Sequence, residues 1–212
     1  MNLVLDKSKE LKTVFICSLI YLVSFTLLER IQFSEYIYTE TWIDAYIPFL
    51  DIFVIPYMMW FAYIVLGFCY FLLNDVEGFY RTCFYIFAGM YVCLIIYTLF
   101  PNAQGLRVNL DLNEPLQRLL SIVYSVDTST NVCPSIHVYN SVMMLVSLCK
   151  NDTFQKSSLW KILIGILTIL ICLSTIFTKQ HAFIDIIYAL MLCFSIYHLE
   201  QILRKKNSLL KQ

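Results

Sequence analysis

Six stretches almost free of charge alternate with short polar segments along the chain: residues 13–28, 52–74, 83–100, 134–149, 162–178 and 182–199. A helix that crosses a bilayer needs about 20 apolar residues, within a range of about 17–25. The pattern therefore predicts six membrane-spanning helices. The second contains Pro56, and the fourth is short, with Ser135, His137 and Asn140 near its start. The sixth is interrupted by Asp185 and His198. The longest polar segment, 101–133, holds Leu116, Leu119, Leu120, Ile122 and Val123 at helical spacing, which predicts a short amphipathic helix. No internal repeat is visible, and no small-residue cleavage site follows the first stretch, so it reads as a permanent helix rather than a signal peptide.

Composition agrees with the pattern. Hydrophobic residues make up 59% of the 212 and charged residues 14%, with a mean hydropathy of +0.71. Soluble domains carry about 25% charged residues, so these charges are too few to coat a water-facing surface around so much apolar material. Fifteen basic residues balance 15 acidic ones, which leaves no electrostatic footprint for nucleic acid.

The placement of the basic residues is more informative than their sum. Lys7, Lys9, Lys12, Arg81, Lys150, Lys156, Lys161, Arg204, Lys205, Lys206 and Lys211 fall on the side that six spans give to both termini. Only Arg30, Arg107, Arg118 and Lys179 fall on the other. Such asymmetry marks the cytoplasmic side. The segment between the first two stretches is acidic, with Glu35, Glu40, Asp44 and Asp51, and its Tyr36, Tyr38, Trp42 and Tyr46 suit the outer interface. The expected fold is all-α: one domain over 1–212, a six-transmembrane-helix bundle with an outer-face amphipathic helix. Of eight cysteines, Cys17, Cys69, Cys83, Cys93, Cys172 and Cys193 lie in apolar runs without a paired spacing. They read as small core residues.

Two of the three histidines sit at outer ends of spans. His137 begins the fourth and His181 begins the sixth, so topology brings them to one membrane face although 44 positions separate them in sequence. His181 and Asp185 are spaced i,i+4 and share a helical face. A carboxylate there can hold one imidazole nitrogen and leave the other as a nucleophile or base, or the pair can simply tie two helices together. An ionisable residue at the lipid boundary is costly, which favours function for Asp185. Pro134 and Ser135 begin a helix, and the free N–H groups there can receive an anion. His198 lies about 20 Å deeper by helical rise and is expected outside the site.

Together, Pro134-Ser135-Ile136-His137, Ser174 and His181-Ala182-Phe183-Ile184-Asp185 resemble the second and third motifs of the type-2 phosphatidic acid phosphatase superfamily, Pro-Ser-Gly-His and Ser-Arg-x5-His-x3-Asp. The close resemblance spans 101–190. Ile136 stands at the family's glycine and Thr175 at its arginine. In the first motif, Lys-x6-Arg-Pro, Phe100 takes the lysine position and Val108 follows Arg107. The Lys179-Gln180-His181 run, with Asp127 and Asn131 upstream, resembles a bacterial branch near the inositol phosphorylceramide synthases.

The resemblance implies that His181 attacks phosphorus, Asp185 orients it and His137 acts as acid and then base. It further implies that Arg107, Lys179, Ser135 and Ser174 hold the phosphoryl oxygens, with Lys179 replacing one missing cation. No metal or other cofactor is implied. The partners would be membrane lipids and the substrate a lipid phosphate or a polyprenyl diphosphate. Transfer of the phosphoryl head group to an alcohol such as inositol is the alternative reaction. An inactive membrane scaffold is the alternative outside enzymology, motivated by the missing cations.

Overall fold

Within lipid every backbone N–H and C=O must find its partner inside its own segment, so apolar runs become helices. The computed structural model describes residues 7–209 and bears this out; Lys211, counted above with the cytoplasmic cations, lies outside them. The described residues form α1 (Ser8–Glu29), β1 (Ile37–Tyr38), α2 (Val54–Asn74), α3 (Val76–Leu99), β2 (Asn102–Ala103), α4 (Pro115–Val126), α5 (Ile136–Cys149), α6 (Asp152–Gln155), α7 (Ser158–Phe177) and α8 (Phe183–Leu209). The chain is an integral membrane protein: α1, α2, α3, α7 and α8 are each long and apolar enough to cross a bilayer.

The helix at the fourth expected span differs. α5 has 14 residues, about 21 Å at 1.5 Å per residue, against a hydrocarbon thickness of about 30 Å. Its place in the bundle explains how it can be short and polar. α5 packs against α2, α3, α7 and α8, so protein rather than lipid surrounds it, and Asn140, Ser141 and Ser147 are buried along it. The ring of Tyr139 lies on Gly89 of α3, where an added Cβ would meet Tyr139 Cζ at 1.9 Å. Tyr139 also donates its hydroxyl to the Tyr85 carbonyl at 2.5 Å. α1 packs mainly on α3 and presents Phe15, Leu19, Leu22 and Val23 outward.

Helix ends run past the apolar stretches because charge marks the lipid boundary and not the end of a helix. α3 starts at Val76 rather than near 83, since Asp75 caps it by accepting from the Gly78 N–H at 2.7 Å. α8 likewise continues beyond 199 through Arg204, Lys205 and Lys206. There Glu200 accepts from Tyr85 Oη (2.9 Å), Lys150 Nζ (3.3 Å) and Arg204 Nε, joining α3, α5 and α8 at the end of the bundle away from the two histidines.

The amphipathic helix expected in 101–133 is α4. It buries Leu120 and Val123 against Val54 and Tyr57 of α2 and leaves Ile122 and Val126 exposed. The acidic segment before α2 is irregular. β1 pairs in parallel with β2, short 3-10 turns occupy Trp42–Ala45 and Asp51–Phe53, and Tyr38, Trp42 and Tyr46 are exposed.

Candidate functional site

The starts of α5 and α8 are held side by side. Ser135, at the N-cap of α5, donates its N–H to the Asp185 carbonyl at 3.2 Å, a direct link between the two histidine-bearing helices. Asn102 organises the loop before α5. Its Oδ1 accepts from the N–H groups of Val132 and Cys133, both at 2.8 Å, while its Nδ2 donates to the carbonyls of Phe100 and Cys133. Tyr97 Oη donates to the Pro134 carbonyl at 2.6 Å. Because Asn102 is 4% exposed, Asn102→Ala would leave several buried backbone groups unpaired. It is expected to cost about 2–4 kcal/mol, read as a fall in the detergent-solubilised protein's melting temperature together with loss of activity.

The turn before α8 is braced in the same way. Gln104 Nε2 donates to the carbonyls of Lys179 (3.0 Å) and Gln180 (3.2 Å), and Tyr124 Oη to that of Thr178 (2.6 Å). Asp44 is buried and accepts from the Phe183 N–H at 2.7 Å. A carboxylate at the first amide of α8 satisfies an N–H that the helix cannot.

These supports bring His137, His181 and Asp185 together. The two imidazole rings stand edge to face with centroids 5.8 Å apart. His181 Nδ1 lies 3.3 Å from Asp185 Oδ2, which also accepts from the Ala182 N–H at 2.9 Å. Asp185 is fully buried. His137 packs on Tyr57 (4.6 Å between centroids) and Trp60 (4.5 Å) of α2. Both histidines line a cavity of about 540 Å³ whose wall is otherwise largely apolar.

The four residues expected to hold phosphoryl oxygens are placed differently. None of Ser135, Ser174, Lys179 and Arg107 lines the cavity. Ser135 Oγ faces its own helix and caps the Val138 N–H. Ser174 Oγ, fully buried, donates to the Ile171 carbonyl one turn back at 2.6 Å. Lys179 adopts a left-handed backbone, φ 58°, and its Nζ donates to the carbonyls of Ile47 (2.5 Å) and Asp44 (3.2 Å). Its ammonium therefore ties the acidic segment to the turn; burial holds its pKa below the ordinary lysine value, against the pull of Asp44.

Arg107 stands one layer behind the cavity. It stacks over Tyr124 at 4.4 Å and donates to the carbonyls of Tyr124 and Asp127 and to Gln180 Oε1 at 2.6 Å. Burial lowers its pKa, and neighbouring Asp127 opposes that shift. Gln180, 1% exposed, reaches the cavity, where its Nε2 approaches Tyr57 without completing a hydrogen bond among the described residues. Since Oε1 accepts from an arginine, the amide orientation is settled, and the open Nε2 is a donor. Sequence reasoning named Gln180 only as part of a run; its sole signal was its place beside His181.

Asp127 accepts from Tyr57 Oη at 2.5 Å and also lines the cavity. Arg118 is bound to the Leu112 carbonyl. His198 packs on Phe194 and Tyr197 outside the site, as helical rise required. Among the described residues no group of His, Cys, Asp and Glu forms a metal-binding cluster. Compared with protein-family models, curated protein sequences and solved structures, the chain has no significant match, and the functional conclusion is carried by the residues themselves.

Proposed function

We propose that the chain is an integral-membrane lipid phosphatase of the type-2 phosphatidic acid phosphatase superfamily, working through a phosphohistidine on His181. The observation that carries this reading is the meeting of two imidazoles, 5.8 Å apart, one of them on a buried carboxylate, at the wall of an apolar cavity. With Asp185 on Nδ1, the Nε2 atom of His181 is the free nucleophile.

In the first step Nε2 attacks phosphorus, the N–P bond forms, and the bond from phosphorus to the lipid oxygen breaks. His137 delivers a proton to that departing oxygen. In the second step His137 takes a proton from water, whose oxygen attacks phosphorus. The N–P bond breaks, inorganic phosphate leaves, and His137 regains the proton it gave. The charge on the non-bridging oxygens dominates such transfers. Gln180 Nε2 and the amides of Ile136 and His137 meet it, with Arg107 fixing Gln180 from behind.

The apolar wall suits a lipid tail. Leu22 of α1, Phe61 of α2 and Ile122 of α4 line the cavity and are also exposed, so a chain can leave sideways into the bilayer. In this reading α5 is the fourth of six spans, shortened because helices enclose it. The excess of basic residues at the other end of the bundle supports cytoplasmic termini and histidines on the outer side.

The purified chain, given a lipid phosphate labelled in its phosphoryl group, is expected to release phosphate and to carry an acid-labile, base-stable label. A transfer product formed with added inositol would identify an alcohol as the acceptor in place of water. A protein that neither takes up label nor releases phosphate would refute the proposal.

A further inference from the structure

The cavity wall carries a second polar group that the two-histidine chemistry does not use. Among the described residues its only charged side chains are Glu29 and Asp127, both acidic, and no lysine or arginine lines it. Asp127 is accounted for: Tyr57 donates to its carboxylate, and Arg107, bonded to its carbonyl, opposes its charge. Glu29 has no cation bonded to it, and Arg107 opposes its charge less than that of Asp127. It receives hydrogen bonds from Thr128 Oγ1 and from Asn131 Nδ2, the latter at 2.5 Å, but these neutral donors leave its charge in place.

Asn131 supplies the independent observation. It is 6% exposed, lines the cavity, and its Oδ1 has no hydrogen-bond partner among the described residues. Because Nδ2 is committed to a carboxylate, the open atom must be the carbonyl oxygen, an acceptor. Its backbone, at φ 56°, is left-handed, a conformation that costs a non-glycine residue energy unless the surroundings impose it. Glu29 is also the last residue of α1, where the helix dipole adds negative potential. Tyr21, Phe25, Tyr57, Trp60, Phe61 and Tyr97 also line the cavity, and aromatic faces attract cations.

A carboxylate bonded only by neutral donors, an unpaired buried carbonyl and aromatic faces together call for a cation that donates hydrogen bonds. A trimethylammonium has no N–H to give Asn131 Oδ1, whereas a primary ammonium does. On the opposite chemistry, His137, His181 and the unpaired Gln180 Nε2 serve an anion. We infer that the cavity takes an amphiphilic aminoalkyl phosphate, its primary ammonium bound by Glu29 and Asn131; the phosphate half of this inference rests on the phosphoryl-transfer reading above. The ammonium can lie in the head group or on the long-chain alcohol, and the chemistry at Glu29 is the same.

The test is amphiphile binding to the purified full chain in maltoside micelles, measured by calorimetry. Decyl aminoethyl phosphate is compared with decyl ethyl phosphate, and 2-aminododecyl phosphate with dodecyl phosphate; each pair differs only in the ammonium. One aminated probe is expected to bind about tenfold more tightly than its counterpart, and whichever does so identifies where the ammonium sits. Glu29→Gln, which keeps the side chain's shape, is expected to erase that preference while leaving the amine-free probe's affinity within about twofold. Equal binding within both pairs by the unaltered protein overturns the proposal without recourse to any variant, as does a preference that survives Glu29→Gln. Decylamine binding that depends on Glu29, with no gain from a phosphate, would keep the ammonium site and overturn the phosphoryl-transfer reading instead.

Discussion

His181→Ala is expected to lower phosphate release from a lipid phosphate by roughly a thousandfold or more, the scale on which loss of a nucleophile acts. Asp185 cannot take over, because it is fully buried and its Oδ2 is bound to the Ala182 amide. His137 bonds no carboxylate among the described residues, and its ring packs on Tyr57 and Trp60. The same variant should take up no acid-labile label. Unchanged release by a properly folded His181→Ala protein would mean that the two imidazoles meet for structural reasons, and would return the chain to the scaffold reading.

His137→Gln separates the two half-reactions. With a lipid phosphate, whose alkoxide leaves poorly unless protonated, turnover should fall roughly 10²–10⁴-fold, the usual contribution of a positioned acid or base. With nitrophenyl phosphate the leaving oxygen needs no proton, so His181 should still become phosphorylated, while water, no longer activated, removes the phosphoryl group slowly. The expected record is a burst of nitrophenolate equal to the enzyme present, followed by a slow phase, with labelled protein accumulating. A uniform loss on both substrates with no accumulated label would show that His137 is not the proton carrier.

Much of the architecture can be read along the chain, and the reason is the bilayer. Lipid imposes one requirement on long segments, apolar side chains over an internally bonded backbone, and a local pattern suffices to show it. α1, α2, α3, α7 and α8 coincide with uncharged runs for this reason, and α4 shows in the spacing of Leu116, Leu120 and Val123. α5 departs from the rule because four helices enclose it. Its polar Asn140, Ser141 and Ser147 would be costly against lipid and are tolerated within protein. Burial among other helices depends on residues far away in the chain, so the run itself does not reveal it.

The candidate site divides along the same line. His181 and Asp185 are i,i+4 neighbours whose contact follows from helix geometry. The meeting of His137 with His181 was expected from the parity of the six predicted spans. The oxygen-binding groups do not follow from local pattern. Lys179 matched a missing cation by position, yet a left-handed backbone and the carbonyls of Asp44 and Ile47 carry its ammonium away from the cavity. Ser135 and Ser174 satisfy their own helices. Glu29 and Asn131, 102 positions apart, became visible only once their side chains were seen to bond.

Sequence by itself determined that this chain lives in lipid, where its helices run, and that two histidines and an aspartate share one end of the bundle. Each of these depends on hydropathy or on helical period, which are properties of neighbouring residues. Tertiary structure alone decided which polar groups face the cavity: Gln180 in place of Lys179, Arg107 one layer back, and Glu29 with Asn131 opposite in chemistry to the imidazoles. A side chain's direction there is set by backbone turns and by acceptors that distant segments provide. Hydrogen bonding, short in range and satisfied wherever the fold brings a partner, has no counterpart in sequence order.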